Sequence, residues 1–172
     1  MPTTLLVTWA TRYGSTEEVA HAVADALLKQ GLTVNAQPMN DVRTLAAYDA
    51  VVLGFPLYIG RIHKDARHFL SSHRQALTQR PVALFVLGPT QANEKEWPAS
   101  WNQLRKHLAK FPWFTPFATE MFGGKFDPQK LGFPFSFIPA LRNLPPSDAR
   151  NWPAIHAWAS NLPSALQPAM TR

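Results

Sequence analysis

Short runs of β-forming apolar residues recur along this chain, and between them lie stretches whose apolar residues return every three or four positions. Thr4 to Trp9 (TLLVTW), Ala50–Leu53 (AVVL) and Val82–Leu87 (VALFVL) are almost continuously apolar rather than alternating. That is the pattern of strands covered on both faces. Two further strands are expected at Thr33–Gln37 and Phe117–Phe122. A helix is expected from Thr16 to about Gln30, where Val19, Val23 and Leu27 recur at four-residue spacing. Ser15 and Glu18 have the spacing of a capping box at its start, and Gly31 ends it as a C-cap glycine does. More helices are expected at Asp65–Leu77 and Ser100–Lys110. A last amphipathic one carries Trp152, Ile155, Ala159 and Leu162, with Asp148 upstream as a candidate cap. Strands alternating with helices predict an α/β fold whose parallel sheet is covered on both faces. With right-handed crossovers, five strands and about five helices give a doubly wound, three-layer sandwich.

Composition narrows the function classes. The 172 residues suit one domain, 1–172, and with 46% hydrophobic residues the chain can bury a core. Lys and Arg exceed Asp and Glu by 6, which favours an anionic partner, membrane surface or substrate. A nucleic-acid role would rest on that charge alone, since no nucleic-acid-binding module accompanies it, and none is expected. The absence of cysteine removes disulfides, thiolate nucleophiles and cysteine-ligated metals. The six histidines lack metal-ligand spacing, so no metal is expected: His63, His68 and His73 recur every five residues, which rotates them off a common helix face. No G-x-S-x-G elbow supports hydrolase chemistry. The opening residues hold no basic signal-peptide region, and no apolar run approaches the ~20 residues of a membrane span. The expected location is the cytoplasm. Eleven of the sixteen prolines follow residue 97, and residues 123–146 (GGKFDPQKLGFPFSFIPALRNLPP) read as a long excursion before the last helix. Loops of that length are usually functional or disordered.

In open α/β sheets, ligands sit beyond the carboxyl ends of the strands. Three loops leave those ends here. The first, Thr11-Arg12-Tyr13-Gly14-Ser15-Thr16, is rich in hydroxyls and feeds a helix N-terminus, where amide groups and the helix dipole favour a phosphate monoester. The competing reading is that Ser15 and Thr16 only cap the helix. The second loop, 54–62, offers Phe55 and Tyr58 as stacking aromatics, or else packs on its own sheet. The third runs through Gly88, Pro89, Thr90, Gln91, Ala92 and Asn93, small and polar groups suited to hydrogen bonding, with Trp97 as a further candidate aromatic.

The run T-x-Y-G-x-T-E at residues 11–17 resembles the FMN phosphate loop of the flavodoxin family, with Tyr13 where many members have threonine. The resemblance implies FMN as cofactor and a five-stranded sheet in the order 2-1-3-4-5. It places the phosphate on Thr11, Arg12, Tyr13, Gly14, Ser15 and Thr16. Pro56, Leu57, Tyr58, Ile59 and Gly60 would lie along the flavin ring, and Gly88, Pro89 and Thr90 would approach its pyrimidine edge. Ile59 or Gly60 takes the position of the glycine that turns over in many flavodoxins; a positive φ at Ile59 would be strained. Within the superfamily, the chain is similar to the menaquinone-dependent protoporphyrinogen dehydrogenase branch. The likeness lies in the phosphate loop, G-x-x-H at Gly60–His63, the following KDARHF, the NWPAIHAWA of residues 151–159 and the excursion at 123–146. It implies an FMN-dependent oxidation of a hydrophobic reduced substrate, protoporphyrinogen-like, with a quinone as acceptor. The alternative is an electron-transfer flavodoxin without a substrate of its own.

No covalent nucleophile is required; His63 is a candidate proton donor or simply a hydrogen-bonded side chain. Between Arg61 and Arg80 lie five Lys or Arg and a single acid, Asp65. This basic stretch is a solvated helix face, or it attracts an anion: a porphyrin's propionates, a lipid headgroup or an acidic protein. Phe133–Leu141 with Arg142 could form an apolar lip for porphyrin or quinone or a peripheral contact with the inner membrane through 133–142. Otherwise it packs on the sheet edge or a dimer partner.

Overall fold

A computed structural model describes residues 3–91 and 94–171. Five strands form the central sheet: β1 (Thr4–Trp9), β2 (Thr33–Pro38), β3 (Ala50–Tyr58), β4 (Val82–Leu87) and β5 (Ala118–Phe122). They lie parallel in the order β2-β1-β3-β4-β5, the doubly wound arrangement expected. Alternate residues of the buried strands serve opposite cores. Leu5, Val7 and Trp9 of β1, Val52 of β3, and Phe85 and Leu87 of β4 pack on one face. They meet α1 (Ser15–Lys29) and the last helix, Trp152–Met170, which pack on each other. Leu6, Val51, Leu53, Phe55, Val82, Leu84 and Val86 point the other way. There they meet α2 (Lys64–Ser72), α3 (Arg74–Thr78) and α4 (Glu96–Leu108). Burial on both sides is why these strands read as continuous apolar runs.

Several boundaries differ from expectation. β3 does not end at Gly54 but runs on to Tyr58, with Gly54 paired to Trp9 and Phe85. The glycine is there for its neighbour: a Cβ would lie 2.0 Å from Cζ of Phe85, whose ring fills that space. The expected helix 65–77 is two helices broken at His73. Ser15 does not cap α1. Gly14 does so in a left-handed conformation, φ 90°, and no capping box forms. The last helix is capped by Asn151, whose side chain accepts from the Ala154 amide, and not by Asp148. Asp148 instead forms a bidentate pair with Arg150.

Past β5 the chain makes its excursion. Lys125–Phe126 and Ser147–Asp148 pair as an antiparallel ribbon that closes its base. Between them come short turns at Pro128–Lys130 and Phe135–Phe137 and a helical turn at Pro139–Arg142. Arg150 ties this base to α1: it reaches Glu18 at 2.6 Å and Asp148 at 2.7 Å, and lies over the Trp152 ring. Among the described residues, no helix is long and apolar enough to cross a membrane.

Candidate functional site

The carboxyl ends of β1, β3 and β4 open onto one cleft. Its first wall is the turn after β1, where Thr11, Arg12, Tyr13, Ser15 and Thr16 line it. Thr11 shapes the turn, its Oγ1 accepting the Gly14 amide at 2.9 Å. Gly14 is the pivot of that turn rather than part of the wall: at φ 90° it starts α1 by accepting the Glu18 amide. The amides of Ser15, Thr16 and Glu17 are then the orphan donors of the helix, and among the described residues none meets an acceptor. Thr16 is fully buried and its hydroxyl has no hydrogen-bond partner, although it borders the cleft. Buried hydroxyls are rarely left unpaired. An unpaired donor beside three orphan amides at a helix N-terminus is a donor set fitted to a phosphate. The negative charge of Glu18, which would oppose such an anion, is taken up by Arg150.

Pro56, Leu57 and Tyr58 form the second wall and Gly88 and Thr90 the third. Phe55 does not contribute: it is completely buried in the second core, because residues alternate along β3 and only every other side chain faces the first core. Ile59, Gly60 and Pro89 border an adjoining hollow of about 290 Å³, with Leu131 and Leu141 from the excursion. Trp97 packs against the second core. Ala92 and Asn93 lie outside the described residues. His63 borders neither hollow. It caps α2, its Nδ1 accepting the Asp65 amide at 3.2 Å, and burial holds its pKa below the ordinary value, against the pull of Asp65. The ring is therefore neutral near pH 7, with Nδ1 used as an acceptor.

The second loop is a two-residue hairpin. Leu57 pairs with Ile62 and Tyr58 with Arg61, leaving Ile59 at φ 48° and Gly60 at φ 68°. Two successive positive φ values make a type I′ turn. Both residues of the turn thus have positive φ, and the β-branched Ile59 is strained. The His107 ring meets the Gly60 carbonyl at 2.8 Å and fixes the turn against α4.

Gly124, Lys125, Phe126 and Asp127 also line the cleft. The reading of the loops after the strands missed them because they come from the excursion. The Gly-Gly-Lys after β5, where two adjacent strand ends feed one crevice, was the available signal. Phe135 arrives from the same segment. Its ring meets Tyr58 at 5.8 Å, and the Arg12 guanidinium lies 5.0–5.4 Å from the rings of Tyr58, Phe135 and Tyr13. The Tyr13 and Tyr58 hydroxyls touch at 3.2 Å across the cleft. Burial, with the Tyr13 contact second, pushes the Tyr58 pKa up to about 12, so the phenol stays protonated. This cluster narrows the cleft itself to about 70 Å³. With the adjoining hollow it sits near the low end of small-molecule sites, which run to about 300–1,000 Å³.

A family profile described as flavodoxin domain matches residues 6–135. No curated protein matches the chain. Among solved structures, it is similar to a short-chain flavodoxin associated with a non-canonical PDU bacterial microcompartment: TM-score 0.62, 16% identity, 98% of this chain and 99% of that one. A mutant form of a flavodoxin from Pseudomonas aeruginosa aligns at TM-score 0.60 with 15% identity, over 96% of this chain and 99% of the other. Rubredoxin oxygen:oxidoreductase from Desulfovibrio gigas aligns at TM-score 0.56 and 15% identity, over 99% of this chain but 37% of that larger one.

Proposed function

Because the chain belongs to the flavodoxin-domain family and binds FMN, we propose that it is an FMN-dependent oxidoreductase that oxidises a hydrophobic reduced substrate and passes the electrons to a quinone. The observation that carries this reading is the excursion: its Phe126, Leu131 and Leu141 add apolar surface to the hollow adjoining the cleft, beyond what the three strand-end loops supply.

Bound FMN would supply the redox chemistry, accepting and giving electrons without a covalent nucleophile from the protein. The protein's part is to hold and to enclose. The orphan amides of Ser15, Thr16 and Glu17 and the hydroxyls of Thr11, Ser15 and Thr16 would hold the phosphate. Leu57, Tyr58, Gly88 and Thr90 would bound the ring. Tyr58, kept neutral, offers a ring face and an uncharged hydroxyl. Arg12 supplies positive charge at the mouth, where an anionic group on a substrate such as a porphyrinogen would enter.

A second reading is an electron-transfer protein with no substrate of its own. Its support is the alignment over nearly the whole length of complete flavodoxins. One experiment separates the two. Flavin released from the purified protein is identified, and the reduced protein is then offered a menaquinone analogue, with protoporphyrinogen tested as donor. FMN release with turnover from protoporphyrinogen to quinone supports the first reading. FMN with one-electron exchange alone supports the second. Protein that neither carries nor takes up FMN would end both.

A further inference from the structure

Seven large apolar side chains stand exposed among the described residues, and five of them belong to the hairpin tip or the excursion: Ile59, Phe133, Phe137, Ile138 and Leu144. Phe133 and Phe137 are the most exposed, at 79% and 74%, and their rings meet edge to face at 5.9 Å. Between them in sequence, Phe135 turns inward and packs on Tyr58 beneath the Arg12 guanidinium. The aromatic tip is therefore pinned to the mouth of the cleft. From Arg12 and Tyr58 a groove of about 600 Å³ continues along Arg61, Lys64 and Arg67. Its one acid, Asp65, is engaged by Asn40 at 3.0 Å and faces His63 at 3.8 Å. None of the four cations is ion-paired among the described residues.

We propose that this face is a docking surface for an anionic phospholipid bilayer, with the cleft mouth turned toward the membrane. Unpaired cations attract an anionic surface, and protruding aromatic rings beside them enter the interface between headgroups and acyl chains. A second copy of the chain fits poorly, since a two-fold contact would set these cations against their own equivalents. An acidic protein would satisfy the cations yet leave Phe133 and Phe137 to find pockets, whereas a lipid surface yields around them. The surface is built by protein groups alone, so the inference stands apart from the oxidoreductase reading. It would bring a lipid-dissolved reactant to the cleft if both hold.

The test is flotation of the full chain with vesicles of phosphatidylcholine, or of phosphatidylcholine with about a third phosphatidylglycerol, with flavin absorbance read in the same fractions. The expected result is binding to the anionic vesicles that weakens with salt. Lys64→Glu/Arg67→Glu should lower partitioning at least about 25-fold, from roughly fivefold per basic side chain. Phe133→Ser/Phe137→Ser should lower it about tenfold or more while leaving the salt dependence intact. Four results would overturn the proposal. These are no binding to anionic vesicles at low salt; binding unchanged in both variants; displacement by glycerol 1-phosphate with the phenylalanine variant binding normally, which would mark a small-anion groove; and a dimer that only the phenylalanine variant dissociates. Loss of flavin without loss of flotation would count against the FMN reading alone.

Discussion

Thr16→Val removes one hydroxyl and keeps the side chain's shape. In the flavin-free protein that hydroxyl is fully buried and unpaired, a state that costs about 1–3 kcal/mol. Valine carries no such penalty, so the variant without flavin should be as stable as the wild type or more so, by up to about that amount. In a protein of this size each 1 kcal/mol moves Tm by about 2–4 °C. With phosphate in the turn, the same hydroxyl becomes a donor to an anion, and such bonds contribute about 1.5–3 kcal/mol. Its loss should weaken FMN binding about 10–150-fold. The two effects have opposite signs, which an ordinary packing defect would not produce.

Thr8 is the matched control. It is equally buried and equally unpaired, but it lies within β1 and does not border the cleft. Thr8→Val should gain stability and leave FMN affinity alone. Titrations of flavin fluorescence, run with both FMN and riboflavin, complete the assay, because riboflavin has no phosphate for Thr16 to meet. If Thr16→Val binds FMN as tightly as wild type, or loses riboflavin and FMN in equal measure, the phosphate does not sit in this turn.

Ile59→Asn should raise stability by about 1 kcal/mol in thermal melts. The side chain is 69% exposed at φ 48°, and asparagine before glycine suits a type I′ turn; an unchanged or lower Tm would show the strain to be absent. Gly54→Ala should destabilise by about 1–3 kcal/mol or more in denaturant titrations, since its Cβ would meet the Phe85 ring. The pH dependence follows from His63 and His73, both held below their ordinary pKa chiefly by burial. The unfolded chain then binds more protons, so stability is full above about pH 6.5 and falls as pH drops through the folded-state values. His63→Asn keeps a capping side chain on α2 and should flatten part of that slope, with His73 supplying the rest. Denaturant midpoints across this window that match wild type would remove His63 from the account.

The central sheet was legible because burial on both faces forces continuous apolar runs. Val82–Leu87 and Thr4–Trp9 carry no competing signal, and the structure sets them at the expected residues. Gly54 misled for an instructive reason. In sequence a glycine after a strand reads as punctuation, but here the constraint comes from the Phe85 ring, which local pattern cannot reveal. Ser15 and Glu18 offered a capping box of correct spacing, yet the left-handed Gly14 takes the cap, and Glu18 is drawn to Arg150, 132 residues away. The walls from the turn after β1, from Tyr58 and from Gly88 and Thr90 could be read from the loops at the strand ends, and Pro56 and Leu57 from the family resemblance. The contribution of residues 124–127 could not, because it depends on how a proline-rich excursion folds back on the sheet.

Arg12 links the separate parts of this molecule. It borders the cleft and the basic groove, and its guanidinium lies against rings from three segments: Tyr13 of the turn after β1, Tyr58 of the hairpin and Phe135 of the excursion. Those contacts, with the Tyr13–Tyr58 hydroxyl pair, narrow the cleft to about 70 Å³. A ring entering between these walls would displace the Tyr58–Phe135 contact, and Phe135 is carried by the excursion. A ligand that parted the Tyr58–Phe135 contact would bias the placement of the excursion as well. The segment that lines the cleft through residues 124–127 is thus also the one that exposes Phe133 and Phe137.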